Sequence, residues 1–144
     1  MNLRLFKFWL FCLAALLPVG RACAENVAAA DARLIKMVVQ SQLKALSEDD
    51  ATEAFALSTP EARSEIGSPE NLMRIVKENF GPLYHCRLAI FMNPENDDGD
   101  VTQTVRITDD QDHVWLAVYD MEQEPDGGWE IDGWELLETD TISI

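Results

Sequence analysis

Hydrophobic positions fall into two regimes along this chain, and the change from one to the other organises everything else. From Asp31 to Leu46, Leu34, Ile35, Val38, Val39, Leu43 and Leu46 recur at steps of three and four, the spacing of one broad helical face. The polar stretch Ser47-Glu48-Asp49-Asp50 ends that helix, because short polar side chains compete for the backbone. Asp50-x-x-Glu53 has the spacing of a capping box and predicts a short second helix through Ala54, Phe55 and Leu57. Two further starts, Thr59-Pro60-Glu61 and Ser68-Pro69-Glu70, each set a hydroxyl at the cap, proline in the first turn and an acid beside the positive helix end. The second opens a helix with Leu72, Met73, Val76 and Phe80 inward, stopped by Gly81-Pro82.

Past Pro82 the period shortens to two. Tyr84 to Met92, Val101 to Ile107, His113 to Met121 and Trp129 to Leu137 read as strands. His113 to Met121 is apolar on both phases, as expected of a central strand covered on both faces. In the last strand the alternation slips at Asp132-Gly133, after which Trp134 and Leu136 take the inward phase, the signature of a bulge. The connections Asn93 to Asp100, Asp109 to Asp112, and Pro125 to Gly128 are short and rich in turn formers, so neighbouring strands should form antiparallel hairpins. The predicted class is α+β: three N-terminal helices packed on a curved, mostly antiparallel four-stranded sheet.

The first 24 residues stand apart. Arg4 and Lys7 precede the unbroken apolar run Phe8 to Leu17, and Ala22-Cys23-Ala24 precedes Glu25; basic, apolar and small-residue segments in that order are the secretory signal pattern. The apolar run falls short of the roughly 20 residues a membrane span needs. The expectation is cleavage between Ala24 and Glu25, one domain over residues 25–144, a periplasmic or secreted location and no membrane attachment of the mature form. The whole chain carries 11 bases and 26 acids, net -15. The leader holds three of those bases and no acid, so residues 25–144 carry 8 bases against 26 acids, or -18. That balance argues against nucleic acid, since no basic stripe is available to displace counterions from phosphates. The leader also holds Cys12 and Cys23, leaving Cys86 alone, so no internal disulfide forms and the core must hold the domain together. Cys86, amid Tyr84, Leu88 and Ile90, reads as a small buried hydrophobe.

Candidate chemistry is sparse. His85, beside Tyr84 and Cys86 at the expected start of a strand, is the one candidate for proton transfer, facing a cavity with Trp115 or Tyr119. Tyr84, Trp115, Tyr119, Trp129 and Trp134 form either a wall for an apolar ligand or simply the helix–sheet core. The acidic loop Asn93 to Asp100 invites a calcium reading, but aligning Gly99 with the turn glycine puts Pro94 at the first ligand position and Val105 where the bidentate acid belongs. No Cys/His spacing suits zinc and no glycine-rich phosphate loop is present, so no metal and no cofactor are expected. From Glu95 onward there are 16 acids and one base, Arg106; this is either a solvated surface or a face that recognises a basic partner.

Several segments resemble a bacterial family designated a domain of unknown function, DUF4864: Gln42-Leu43-x-Ala45-Leu46, Asp49-Asp50 with Ala54-Phe55-Ala56, Ser58-x-Pro60, Gly67-x-Pro69-Glu70-Asn71, Tyr84, and Asp126 to Gly133. Ile66 stands where the family pattern has an aromatic residue, and Trp134 where it has a smaller one. That family in turn resembles the nuclear-transport-factor-2-like, or SnoaL-like, cone fold, in which a sheet curls round helices to enclose a pocket. The resemblance implies an architecture and no activity, because such folds host isomerases and cyclases as well as binding modules. Three functions are compatible with it: a non-catalytic module that binds a small apolar ligand or a protein partner, an isomerase- or cyclase-like enzyme using His85, and a homodimeric structural module.

Overall fold

A computed structural model describes residues 25–139, and the expected leader and cleavage at Ala24 lie outside or at the edge of that range. Among the described residues a two-residue strand is followed by five helices: α1 (Ala29–Ser47), α2 (Ala51–Ala56), α3 (Pro60–Ile66), α4 (Pro69–Asn79) and α5 (Gly81–Tyr84). The caps read from sequence are in place. Asp50 accepts from the Glu53 N–H, Thr59 from Ala62 and Ser68 from Asn71, each satisfying a helix-start donor that would otherwise lack a partner. At the end of α1, the Asp50 N–H donates to the Ala45 carbonyl at 2.8 Å and the Asp49 N–H to Leu46 at 3.3 Å. This is a Schellman closure with Asp49, φ +56°, in the left-handed position usually given to glycine.

Six strands follow or flank the helices: β1 (Glu25–Asn26), β2 (Leu88–Phe91), β3 (Glu95–Asp97), β4 (Asp100–Thr108), β5 (Val114–Gln123) and β6 (Trp129–Glu138). All pair antiparallel in one sheet, ordered β1-β3-β4-β5-β6, with β2 also on β4. β2 and β3 thus lie end to end along the same side of β4, β2 as the free edge and β3 covered by the two-residue β1. Pro94, which is buried and has no N–H to give, sits at the break. Gln103, almost fully buried, donates its side-chain amide to the carbonyls of Met92 (2.8 Å) and Thr104 (2.9 Å) across it.

Three expectations are corrected here. Five helices replace three, and six strands replace four. Gly81-Pro82 ends α4 but also starts α5, since proline suits a first turn, so Tyr84 is helical and His85 and Cys86 precede the sheet instead of opening a strand. The acidic loop contains β3, whose hairpin to β4 turns through Asp98 (φ +54°) and Gly99 (φ +100°), a two-residue turn with both φ positive that matches strand twist. The bulge is where the phase slip placed it: Asp120 pairs with Gly133 and Met121 with Ile131, leaving Asp132 as the extra residue.

The helices cover one face of the sheet. Ile35, Val39, Leu43 and Leu46 of α1, Leu72 and Val76 of α4, and Leu83 of α5 pack in one cluster with Val105, Ile107, Ala117, Tyr119 and Ile131 of the sheet. Trp129 Nε1 donates to Asp31 at 3.1 Å, fixing the start of α1 over the β5–β6 turn. The α2–α3 link lies against β6, with the Thr59 N–H on the Ile131 carbonyl and the Ile131 N–H on Leu57, each 2.9 Å. Among the described residues, the other face of the sheet carries no helix. The expectation that β5 is covered on both faces is therefore corrected: Val114, Leu116 and Val118 are only half-buried.

Candidate functional site

The residues singled out for chemistry do not converge. Tyr84 turns outward, its hydroxyl donating to the Asp49 carboxylate at 3.0 and 3.1 Å, with Lys77 Nζ 2.6 Å from Asp49 and 4.8 Å from the centre of the Tyr84 ring. The lysine and the phenol hold the Asp49 carboxyl below its ordinary range. His85 is exposed, edge-on to Tyr84 (centroids 4.7 Å apart), with Nδ1 3.7 Å from Asp110. Trp115 donates Nε1 to Asp109 Oδ2 at 3.1 Å. Inside the fold, Tyr119 and Trp134 meet at 6.4 Å, and Trp134 packs edge-on against Phe80 at 5.8 Å. Tyr119 is fully buried, and burial, with Cys86 nearby, pushes its phenol above the ordinary value, so it is no proton carrier at neutral pH. Burial likewise raises the Cys86 thiol, against the needs of a nucleophile.

Asp109, nearly buried, is the organiser of the β4–β5 turn. Its carboxylate accepts from the Gln111 and His113 N–H groups, each at 2.9 Å, and from Trp115. Burial works to raise its pKa, and the hydrogen bonds from Trp115, His113 and Gln111 outweigh that and hold it low. This is structural chemistry at a hairpin. Among the described residues no group of three or more His, Cys, Asp or Glu gathers to hold a metal.

The uncovered face of the sheet has a different character. Leu88, Ile90 and Met92 are each about half exposed (50%, 47% and 48%), as is Leu137 at 43%, while Leu116 and Val118 lie between them on β5. The register sets Ile90 beside Arg106, Arg106 beside Leu116 and Leu116 beside Leu137, so one row crosses four strands, aliphatic on β2, β5 and β6 and interrupted on β4 by Arg106. Farther along the same strands the outward positions become acidic: Asp120 and Glu122 follow Val118 on β5, and Glu130 lies opposite Glu122 on β6. A groove of about 680 Å³ at that end is lined by Glu95, Asp97, Asp100, Asp120, Glu122 and Asp132. Glu130, half-buried beside it, is pushed up to about 7, by burial first, then by the Glu124 carboxyl against it and the charge of Glu122, with Arg63 pulling the other way.

A family model described as a domain of unknown function, DUF4864, matches residues 28–144. The chain belongs to the DUF4864 family. No curated protein and no solved structure matches it. Two of the segments that carry the DUF4864 likeness meet in space. The Thr59 hydroxyl, inside Ser58-x-Pro60, donates to Asp132 Oδ1 at 2.7 Å while capping α3, so the bulge of the DUF4864 domain aims Asp132 at a helix start. Sequence reasoning missed the face formed by Leu88, Ile90, Leu116 and Leu137. Its one signal was the two-phase hydrophobicity of β5, which a second covered face would also produce.

Proposed function

We propose that this DUF4864 chain is a non-catalytic module that binds a protein partner on the uncovered face of its sheet. The observation that carries the reading is the aliphatic strip of Leu88, Ile90, Met92, Leu116 and Leu137, with four of these side chains nearly half exposed. A monomer in water has little reason to keep so many large aliphatic side chains open on one face, even with Arg106 set among them, whereas an interaction site does. His85 and Tyr84 lie together, edge-on, outside the helix–sheet interior that holds Tyr119, and Trp115 is committed to Asp109; this supports binding over catalysis, since acid–base chemistry needs groups gathered around one reacting atom in a pocket. The order of helices followed by antiparallel sheet agrees with a cone-like relationship, and the basic, apolar and Ala22-x-Ala24 pattern of the first 24 residues supports a place of action in the periplasm or outside the cell.

The test is site-specific photocrosslinking in the cells that make the protein, with the reactive side chain at Ile90, at Leu137, or at Glu65 on the exposed side of α3. Discrete adducts with another protein from Ile90 and Leu137 but not from Glu65 are expected. Identical adducts from all three positions, or none from the sheet face, would overturn the reading.

A further inference from the structure

Resting on that reading of the open face, we propose that the partner is a polypeptide presenting lysine or arginine side chains beside an aliphatic patch. The face is divided along its strands. On β5 the outward residues change from Leu116 and Val118 to Asp120 and Glu122, and along the β2–β3 side from Ile90 and Met92 to Glu95 and Asp97. On the β2–β3 side and on β5 the boundary falls at one level, while on β6 the exposed Glu135, opposite Val118, brings an acid one pair closer to Leu137; Leu116 and Asp120, four residues apart, stand about 13 Å from each other. A ligand must satisfy both halves together.

Charge decides among the occupants. A purely apolar partner large enough to cover both halves would bury the Asp120 and Glu122 carboxylates without counter-charge, at a cost that exceeds the gain from the strip. A second copy has the same difficulty in either arrangement. Acidic half on acidic half brings like charges together, and acidic half on aliphatic half strands them in apolar surroundings. The only cation set among the outward residues of β4, β5 and β6 is Arg106, and it lies in the aliphatic half opposite Leu116, too far along the strand to neutralise the groove. A partner with cations over the groove and aliphatic side chains over Ile90, Leu116 and Leu137 meets both requirements, and its charge also speeds encounter.

The probe is an 18-residue helical peptide, about 27 Å long, with leucines on one face of its first half and lysines on the same face of its second half. Binding is followed by calorimetry and by backbone amide shifts of the labelled protein. Expected are shifts centred on Ile90, Thr102, Leu116 and Asp120, with affinity falling at least tenfold in D100N/D120N/E122Q and in I90S/L137S. The matched neutralisation on the helical side, E61Q/E65Q/E70Q, should leave affinity within twofold. If the helical-side variant weakens binding as much, the acids act only as a general polyanion and the proposal falls. Equal binding of a leucine–glutamate peptide at the same residues would overturn the cationic partner and leave the docking face standing. Shifts away from the face, or concentration-dependent shifts on it without peptide, would overturn the docking face itself.

Discussion

Replacing Glu130 with glutamine should stabilise the domain at pH 8 and change it little at pH 5. The folded protein holds the Glu130 proton up to about pH 7, against 4.5 for the free side chain. Across that interval the folded state binds more protons than the unfolded state, so this group's contribution to stability falls as pH rises through it. Taken at face value, the difference amounts to about 3 kcal/mol once both states are ionised. The carboxyl is partly open to water, and screening reduces the figure to about 1–2 kcal/mol. Glutamine fills the same space without charge, so E130Q should recover that amount at pH 8, an increase in Tm of about 3–8 °C for a domain of this size. The assay is thermal unfolding of wild type, E130Q and E124Q from pH 5 to 8.5 at low salt. E124Q should give a smaller gain, because Glu124 supplies only part of the perturbation, and wild type itself should melt higher near pH 5.5 than near pH 8. Added salt should shrink the differences by screening Glu122 and Glu124. An E130Q gain that is the same at pH 5 and pH 8, or a loss at pH 8, would refute the reasoning.

The remaining predictions concern the interior and the turns. D109A should cost about 2–3 kcal/mol in urea unfolding, because it leaves the Trp115 indole and two backbone N–H groups without an acceptor. The stability that Asp109 contributes should be lost only as pH falls below 3.8 through its depressed folded pKa. The buried Tyr119 hydroxyl has no hydrogen-bond partner, so Y119F should be neutral or stabilising by up to about 1 kcal/mol; a comparable loss of stability would show that the hydroxyl is bonded. Cys86 should react slowly with bulky alkylating reagents at pH 8, its thiol raised by burial, and C86A should cost about 1–2 kcal/mol.

What was legible in the sequence was local chemistry with a single outcome. A hydroxyl or acid before a first turn has one use, and Asp50, Thr59 and Ser68 all cap as expected. A phase slip at glycine has one use as well, and the Asp132 bulge follows. Two-fold meanings failed. Gly81-Pro82 serves equally to end a helix and to start one, and the alternation of Tyr84, Cys86, Leu88 and Ile90 concealed a helical turn within what reads as a strand. β3, Glu95-Asn96-Asp97, carries no apolar residue, so only its ladder to β4 identifies it. The candidate site was hidden for a similar reason. Apolar residues on both phases of β5 are what a strand between two layers would show, and nothing local says that the second layer is missing from the described residues.

The interrupted edge at Pro94 has a consequence for life at high concentration. A long, straight outer strand offers a row of free backbone groups onto which a second sheet can grow, the route to fibrils. Here β2 is only four residues long, β3 is already paired on its outer side with the two-residue β1, and the carbonyl of Met92 at the cut is occupied by the Gln103 amide. At the opposite edge, the stretch Leu57 to Thr59 already occupies both backbone groups of Ile131. Each margin is thus obstructed at one point, at Pro94 and at Ile131, which shortens the run of backbone onto which a second sheet could grow.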